Sequence, residues 1–310
     1  MLQQAQHNLI VILGPTASGK TAMAVRLAAW LGSEIISADS RQVYIGMDIG
    51  TGKDLNEYNY HDKKIPYHLI DIVSPDDDFN LFEYKRLFLE TYEAISKKGI
   101  IPVLAGGTGL YIDSVLDDYN LVYVPEDQTL RDKLDRFSID QLAKMLVRER
   151  PKLHNTTDLL EKSRLIRAIE IARFSRKKSN DNHCKKNSLE IRPVIIGLKV
   201  EREKLRERIK RRLYKRLDSG LVEEVENLYK SGLSRQRLDY FGLEYRYVSK
   251  YLQGELNRND MIQKLYSAIC KFAKRQETWF RRMEKNGHKI NWIDCDDYES
   301  LQQIAANGFK

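Results

Sequence analysis

The stretch GPTASGKT, Gly14 to Thr21, follows the apolar run Leu9 to Leu13 and opens a helical stretch near Gly19 to Leu31. A buried strand, a glycine-rich turn and a helix in that order bring several backbone N–H groups to one point at a helix N-terminus, where they hold an anion. Lys20 adds a positive charge there, and the Thr21 hydroxyl is placed to hold a Mg²⁺ that bridges phosphate oxygens. Gly14, Pro15, Thr16, Ala17, Ser18, Gly19, Lys20 and Thr21 are therefore expected to grip a phosphorylated ligand. The motif leaves open whether phosphate is transferred, hydrolysed or expelled.

Outward from this loop, apolar segments alternate with helical ones in the manner of a parallel α/β sheet. Strands are expected at Asn8 to Leu13, Glu34 to Ala38, Tyr67 to Ile72 and Ile100 to Leu104, with helices near Gly19 to Leu31 and Phe79 to Lys97. Val194 to Val200 reads as a return to the same sheet after a charged, mostly helical excursion from about Asp117 to Arg192. Within the excursion a helix near Asp158 to Phe174 sets Leu159, Ile166 and Ile169 on one side and Arg164, Arg167 and Arg173 on others, and Ser175 to Ser188 reads as an exposed loop. Past Val200, Leu205, Ile209, Leu213 and Leu217 recur every four residues beneath Arg206, Arg208, Arg211, Arg212 and Arg216. A second amphipathic helix carries Leu265, Ile269, Phe272, Gln276, Trp279, Phe280 and Met283, and a short strand is expected at Lys289 to Ile293. The fold class is α/β with a P-loop.

The 310 residues suffice for one sizeable core plus a smaller module, and 42% hydrophobic with 31% charged residues fits a soluble globular chain. No apolar run is long enough to span a membrane, and MLQQAQHN lacks the basic and apolar regions of a signal peptide. Cys184, Cys270 and Cys295 have neither metal-ligand spacing nor the number for a disulfide framework, so a cytoplasmic location and no membrane partner are expected. The net charge of +8 is unevenly spread: residues 1–116 hold 10 Lys and Arg against 14 Asp and Glu, a net of −4, whereas the rest hold 42 against 30, a net of +12. A basic second half suits a polyanionic partner, although a solvated helical surface accounts for charge alone equally well.

Asp39 stands at the end of the second strand in SADSRQVYIGMDIGTGK, on the sheet edge from which the phosphate loop projects. It is placed to act on whatever lies beside the phosphates, with a helix cap as the alternative role. Gly46, Gly50 and Gly52 read as turn glycines, and GTGK at Gly50 to Lys53 is not expected to be a second phosphate site. The fourth strand ends in GGTGLY, Gly106 to Tyr111, which delivers Thr108 to the same edge in place of the metal-organising Asp of many NTPases.

Taken in order, GPTASGKT, SADSRQVYIGMDIGTGK, GGTGLYI, RLIRAIE, the RIKRRL to GLVEEV helix and AKRQETWFR resemble the bacterial tRNA dimethylallyltransferases along nearly the whole chain. The resemblance implies a P-loop NTPase-like parallel sheet flanked by helices, built from 1–116 and 193–310, and an inserted helical module, 117–192, that clasps the tRNA anticodon stem. It implies that the loop holds the pyrophosphate of dimethylallyl diphosphate, whose dimethylallyl group moves to N6 of adenine 37 in tRNAs reading codons that start with U. Lys20, a Mg²⁺ at Thr21 and Arg212, in RIKRRL, would stabilise the leaving pyrophosphate. Asp39 takes the family's role of general base, and Thr108 that of contacting the adenosine or organising the leaving group. Ser40, Arg41 and Gln42 match the segment that contacts tRNA beside the target base, and Arg131, Arg164 and Arg167 match further tRNA contacts in the module. Since a stacked base cannot enter such a pocket, adenine 37 is expected to be extruded, with aromatic and Arg side chains replacing its stacking.

The chain departs from the family at FGLEYRY, Phe241 to Tyr247, where a Gly-Tyr-Lys/Arg-Gln-like segment is usual, and at Ile269 and Cys270, which replace Thr-Arg. The module keeps only RPKLHN, Arg150 to Asn155, of the usual stretch, and no C-terminal zinc-finger spacing exists. A monomer is expected. Two other readings share the loop: an ATP-dependent small-molecule kinase, and an NTP-controlled RNA-binding protein without covalent chemistry.

Overall fold

The computed structural model describes residues 7–117, 123–149, 161–178 and 190–307. They fall into two compact units, Met1–Tyr119 with Glu190–Lys310, and Asn120–Leu189. In the first unit β1 (Leu9–Leu13), α1 (Lys20–Leu31) and β2 (Ile35–Ala38) lead through a short 3-10 turn (Leu55–Tyr58) and a small hairpin, β3 (Asn59–Tyr60) with β4 (Lys63–Lys64), to β5 (Tyr67–His68). Then come α2 (Leu81–Ser96), β6 (Val103–Gly106) and α3 (Gly109–Leu116). The second unit holds α4 (Gln128–Leu134), α5 (Ile139–Glu149) and α6 (Lys162–Lys178). The chain re-enters the first unit with β7 (Pro193–Lys199) and continues through α7 (Arg202–Asp218), α8 (Leu221–Lys230), α9 (Arg235–Phe241), α10 (Leu243–Leu252) and α11 (Arg258–Lys285) to β8 (Ile290–Asp294) and α12 (Tyr298–Asn307).

Six strands form one parallel sheet in the order β5-β2-β6-β1-β7-β8. LIVIL of β1 is wholly buried, as a central parallel strand covered on both faces must be. Its period-two alternation divides the core. Leu9, Val11 and Leu13 join α2, α3, α7 and α11 on one face, while Ile10 and Ile12 join α1 and α12 on the other. The second unit has its own core, Leu134, Leu142, Leu146, Leu165, Ile166 and Ile169.

Strands β2, β6 and β1 are neighbours, and the register pairs Ala38 and Leu13 each with Gly106. The three strands therefore end at one level, and their loops, carrying Asp39, Thr108 and the glycine-rich turn, emerge side by side. This placement makes the site.

Local differences from the sequence expectations have physical causes. The strand expected at Tyr67 to Ile72 stops at His68 because Leu69 and Asp71 take positive φ, 61° and 55°, which breaks the extended run. The strand expected from Ile100 begins at Val103, because Pro102 has no N–H to give to a neighbouring strand. Helix α6 runs to Lys178, past the expected end at Phe174, since SRKK contains no Gly or Pro to stop it. The loop expected over Ser175 to Ser188 is therefore not present at Ser175–Lys178, and positions 158–160, 179–188 and Arg150 to Asn155 lie outside the described residues. Among the described residues no helix is long and apolar enough to cross a membrane.

Candidate active site

The glycine-rich turn is shaped by two residues in the left-handed region, Ala17 at φ 62° and Gly19 at φ 86°. The Thr16 and Ser18 N–H groups are taken by Gln276 and the Pro15 carbonyl, and Gly19 feeds directly into α1, whose N-terminal N–H groups open the helix with no acidic residue in its first turn. Lys20 folds back and its Nζ donates to the Pro15 carbonyl at 2.7 Å. Burial, with the Arg212 charge, lowers the Lys20 pKa to about 8 against the opposing pull of Asp39. Ser18 is fully buried, with a hydroxyl lacking a hydrogen-bond partner.

Beside this turn lies a cavity of about 750 Å³ whose lining includes Ala17, Gly19, Lys20 and Thr21. Its opposite wall is α7. The apolar stripe Leu205, Ile209, Leu213 and Leu217 is buried as expected, and the same four-residue recurrence places Arg208, Arg212 and Arg216 together on the cavity side, with Arg211 and Lys215 next to them. Arg212 Nη2 donates to the Gly52 carbonyl and to Asp54 Oδ2, both at 3.2 Å. The third wall is the segment from Asp48 to Glu57, where burial and the Asp54 charge raise the Glu57 pKa. Five cationic side chains of one helix facing a phosphate-loop lysine make a basin for a highly charged anion.

Asp39, Ser40 and Thr108 form a separate cluster at the ends of β2 and β6 and do not line that cavity. The Arg41 N–H donates to Asp39 Oδ1 at 2.9 Å, and the Ser40 N–H to Thr108 Oγ1 at 3.1 Å. The Thr108 N–H in turn reaches the Ala38 carbonyl at 3.1 Å, tying the two loops together. Gln42 Nε2 donates to the Gly52 carbonyl at 3.1 Å, which joins this cluster to the cavity wall. The Arg41 guanidinium lies 4.8 Å from the ring centroid of the half-exposed Tyr240, which also receives Arg237 at 5.1 Å.

In the second unit Arg131 and Arg167 converge on one carboxylate, Glu170, which is 2% exposed. Arg131 Nη2 is 3.0 Å from it, with Nη1 2.8 Å from Glu126, and Arg167 also donates to the Val124 carbonyl at 2.8 Å. Burial works to raise the Glu170 pKa, but Arg131, the Asp127 amide and Arg167 outweigh it and hold it low. Arg164 pairs with Glu161, one turn away on an exposed surface.

Gln276, expected within the apolar stripe of α11, has a task that the stripe does not reveal. It is buried, its Oε1 accepts the Thr16 N–H at 2.8 Å, and its Nε2 donates to the Gly107 carbonyl at 2.9 Å. One amide thus clamps the phosphate loop to the Thr108 loop. The signal was available: a polar residue on a buried helical stripe needs partners. Phe272, read as part of the same stripe, is 38% exposed and lies beneath Arg275 instead. Of the departures, Ile269 is buried under Thr16 and Arg212, Tyr245 is buried with its hydroxyl on Glu224, and Glu244 pairs with Arg216 at 2.8 Å.

The Thr21 hydroxyl lines the cavity with a hard oxygen donor of the kind Mg²⁺ takes, whereas the nearby carboxylates of Asp48 and Asp54 are committed to Lys53 and Arg212. Among the described residues Asp113, Asp117 and His288 also cluster, but Asp113 is committed to Trp279 and Arg282, and Asp117 to His288.

An IPP transferase family model matches residues 42–283, and an isopentenyl transferase model matches residues 7–65. The chain belongs to the IPP transferase family. It is 54% identical over 301 residues to tRNA dimethylallyltransferase 1 of Syntrophus aciditrophicus, covering 97% of this chain and 98% of that relative. It is 55% identical over 303 residues to tRNA dimethylallyltransferase 2 of Citrifermentans bemidjiense, covering 97% and 96%. Among solved structures the tRNA isopentenylpyrophosphate transferase of Bacillus halodurans superposes with a TM-score of 0.71 at 32% identity, covering 98% of this chain and 97% of that one. A eukaryotic dimethylallyltransferase described as acting on tRNA shares the fold, with a TM-score of 0.76 at 22% identity over 97% of this chain and 77% of that one. The parallel sheet with its phosphate loop is thus the IPP transferase fold.

Proposed function

We propose that this chain transfers the dimethylallyl group of dimethylallyl diphosphate to N6 of adenine 37 of tRNAs reading codons that start with U, releasing pyrophosphate. The observation that carries the reading is the cationic basin of Lys20 and Arg212 beside the Asp39–Thr108 cluster at one sheet edge, in a chain of this family. A kinase reading has the phosphate loop in its favour but none of the relatives named above.

In the reaction the bond from the allylic carbon to the diphosphate oxygen breaks and the bond from N6 to that carbon forms. Negative charge grows on the departing pyrophosphate, and Lys20, Arg212 and the N-terminal end of α1 would meet it. The Thr21 hydroxyl would hold a Mg²⁺, which supplies further charge to the same oxygens. N6 is a weak nucleophile because its lone pair is delocalised into the purine, so removal of its proton by Asp39 as the bond forms lowers the barrier. Thr108 fixes the loop carrying Asp39 through the Ser40 amide and contacts the adenosine. Arg41 and Tyr240 offer flat faces to replace the stacking that an extruded adenine loses. Ser40, Arg41 and Gln42 then contact tRNA near that base, and Arg164, Arg131 and Arg167 of the helical unit meet its backbone phosphates. The enzyme acts as a cytoplasmic monomer.

The direct test is incubation with dimethylallyl diphosphate, Mg²⁺ and unmodified tRNA carrying A36-A37-A38. N6-dimethylallyladenosine and stoichiometric pyrophosphate are expected. ATP consumption stimulated by a small acceptor, with no modified nucleoside, would reject the reading in favour of the kinase.

Lys20 gives a pH prediction. With a folded pKa of about 8 the free site loses a charge as pH rises through that value, so affinity for inorganic pyrophosphate weakens between pH 7 and pH 9. Stability moves the other way. The unfolded lysine, at about 10.4, binds more protons than the folded one between the two values, so its contribution to stability rises across that window. Calorimetric titrations at both pH values check this, and Lys20→Arg, which stays charged, is expected to remove the weakening. An equal weakening in that variant would assign it to another group.

A further inference from the structure

We propose that Glu224, which no role has yet been given, is a positioning residue for the diphosphate basin, acting through the 48–54 segment. The inference rests on the reading that this basin takes a diphosphate. Glu224 stands in the first turn of α8, where an acidic residue is favoured by the helix dipole alone. Its contacts go well beyond that. Oε2 accepts the N–H groups of Asp48 and Ile49 at 2.9 and 2.7 Å, and Oε1 accepts the N–H of Gly50 at 2.9 Å and the Tyr245 hydroxyl at 2.8 Å. Three successive backbone N–H groups converging on one carboxylate form an anion nest filled by the protein's own side chain. Burial, then the Glu224 carboxylate, pushes the Tyr245 phenol well above its usual range, so it stays a donor.

What the nest fixes is the next turn of chain. The Gly50 carbonyl accepts from Arg216 at 3.3 Å, and the Gly52 carbonyl accepts from Arg212 at 3.2 Å. These are the two basin arginines whose backbone anchors lie in this segment. The fit has no slack: a Cβ on Gly50 would meet the Tyr245 ring at 2.5 Å, and one on Gly52 would meet the Arg216 guanidinium at 1.9 Å. Glu224 therefore sets where two cations point without touching the ligand. Gln cannot fully replace it, because its NH2 would face one pair of these donors where the carboxylate offers an oxygen, and Asp is one methylene too short.

The test is Glu224→Gln in the full-length protein, with inorganic pyrophosphate as the probe. Simple electrostatics predicts tighter binding, since a negative charge beside the basin is removed. Positioning predicts the opposite sign: pyrophosphate affinity and kcat/KM for the allylic diphosphate fall about tenfold to a hundredfold, as when a reacting group is misplaced by about 1 Å. Affinity for an anticodon stem-loop stays within a factor of about 2 in the same preparation. Tyr245→Phe, which removes one of the four donors, is expected to show a smaller loss in the same direction. Asn257→Ala, which removes the α11 cap whose Oδ1 accepts the Asp260 N–H at 2.9 Å, is the control for general destabilisation and should leave pyrophosphate affinity unchanged. Equal or tighter binding by Glu224→Gln, or a loss no larger than that of Asn257→Ala, overturns the inference. Failure of the unmutated protein to bind pyrophosphate would show in its own titration and would overturn the diphosphate reading together with this one.

Discussion

Asp39→Asn is expected to lower turnover about a thousandfold, within the span of a lost general base, while tRNA affinity and the melting temperature hold. Asn is chosen because its side-chain oxygen can still accept the Arg41 N–H, the bond that shapes this turn at 2.9 Å. The substitution thus removes basicity and charge but leaves the Ser40–Thr108 tie in place. Single-turnover formation of the modified nucleoside, with saturating tRNA and allylic diphosphate, isolates the chemical step. If the loss appears in the Kd for tRNA and not in the single-turnover rate, Asp39 is a docking residue and the proton leaves by another route.

Gln276→Leu is expected to damage both stability and catalysis. Leu fills a similar volume but offers no partner to the Thr16 N–H or the Gly107 carbonyl, which Gln276 satisfies at 2.8 and 2.9 Å. Stranding a buried polar group costs about 1–3 kcal/mol, so two of them imply a loss of about 2–6 kcal/mol by denaturant unfolding. Catalysis suffers for a different reason: the amide sets the spacing between the diphosphate loop and the loop bearing Thr108. A displacement of about 1 Å there is worth roughly a hundredfold in kcat/KM. A variant with unchanged unfolding midpoint and full activity would show that backbone geometry alone holds the two loops together.

The parts of this molecule legible in the sequence are those governed by local pattern. GPTASGKT announced its turn, and LIVIL its central strand, because short-range sterics and burial on both faces leave few alternatives. The α7 stripe was equally plain, since a four-residue apolar recurrence has one helical solution. What could not be read was pairing across distance. The Gly50–Lys53 segment looks like an isolated turn until α8 supplies a carboxylate 174 residues away from Gly50. Gln276 looks like a blemish in an apolar stripe until its two backbone partners are seen. Arg131 and Arg167 are read in sequence as tRNA contacts, and although Glu170 lies one turn from Arg167, its burial and its pairing with Arg131 39 residues away are visible only in the fold. The FGLEYRY segment reads in sequence as a loss of family residues, whereas in the fold Glu244 and Tyr245 brace Arg216 and Glu224.

The bond from the Thr16 amide to Gln276 spans 260 positions of chain, and that from Arg212 to the Gly52 carbonyl spans 160. Central strand β1 likewise pairs with β7, which follows it by well over half the chain. A ribosome delivering this protein therefore releases the phosphate loop long before its clamp, its cationic wall or one of its flanking strands exists. Contacts of such sequence separation close late, after the loop entropy between them has been overcome. Ligand capture is consequently a property of the finished chain, and a nascent chain has no basin in which to sequester an allylic diphosphate.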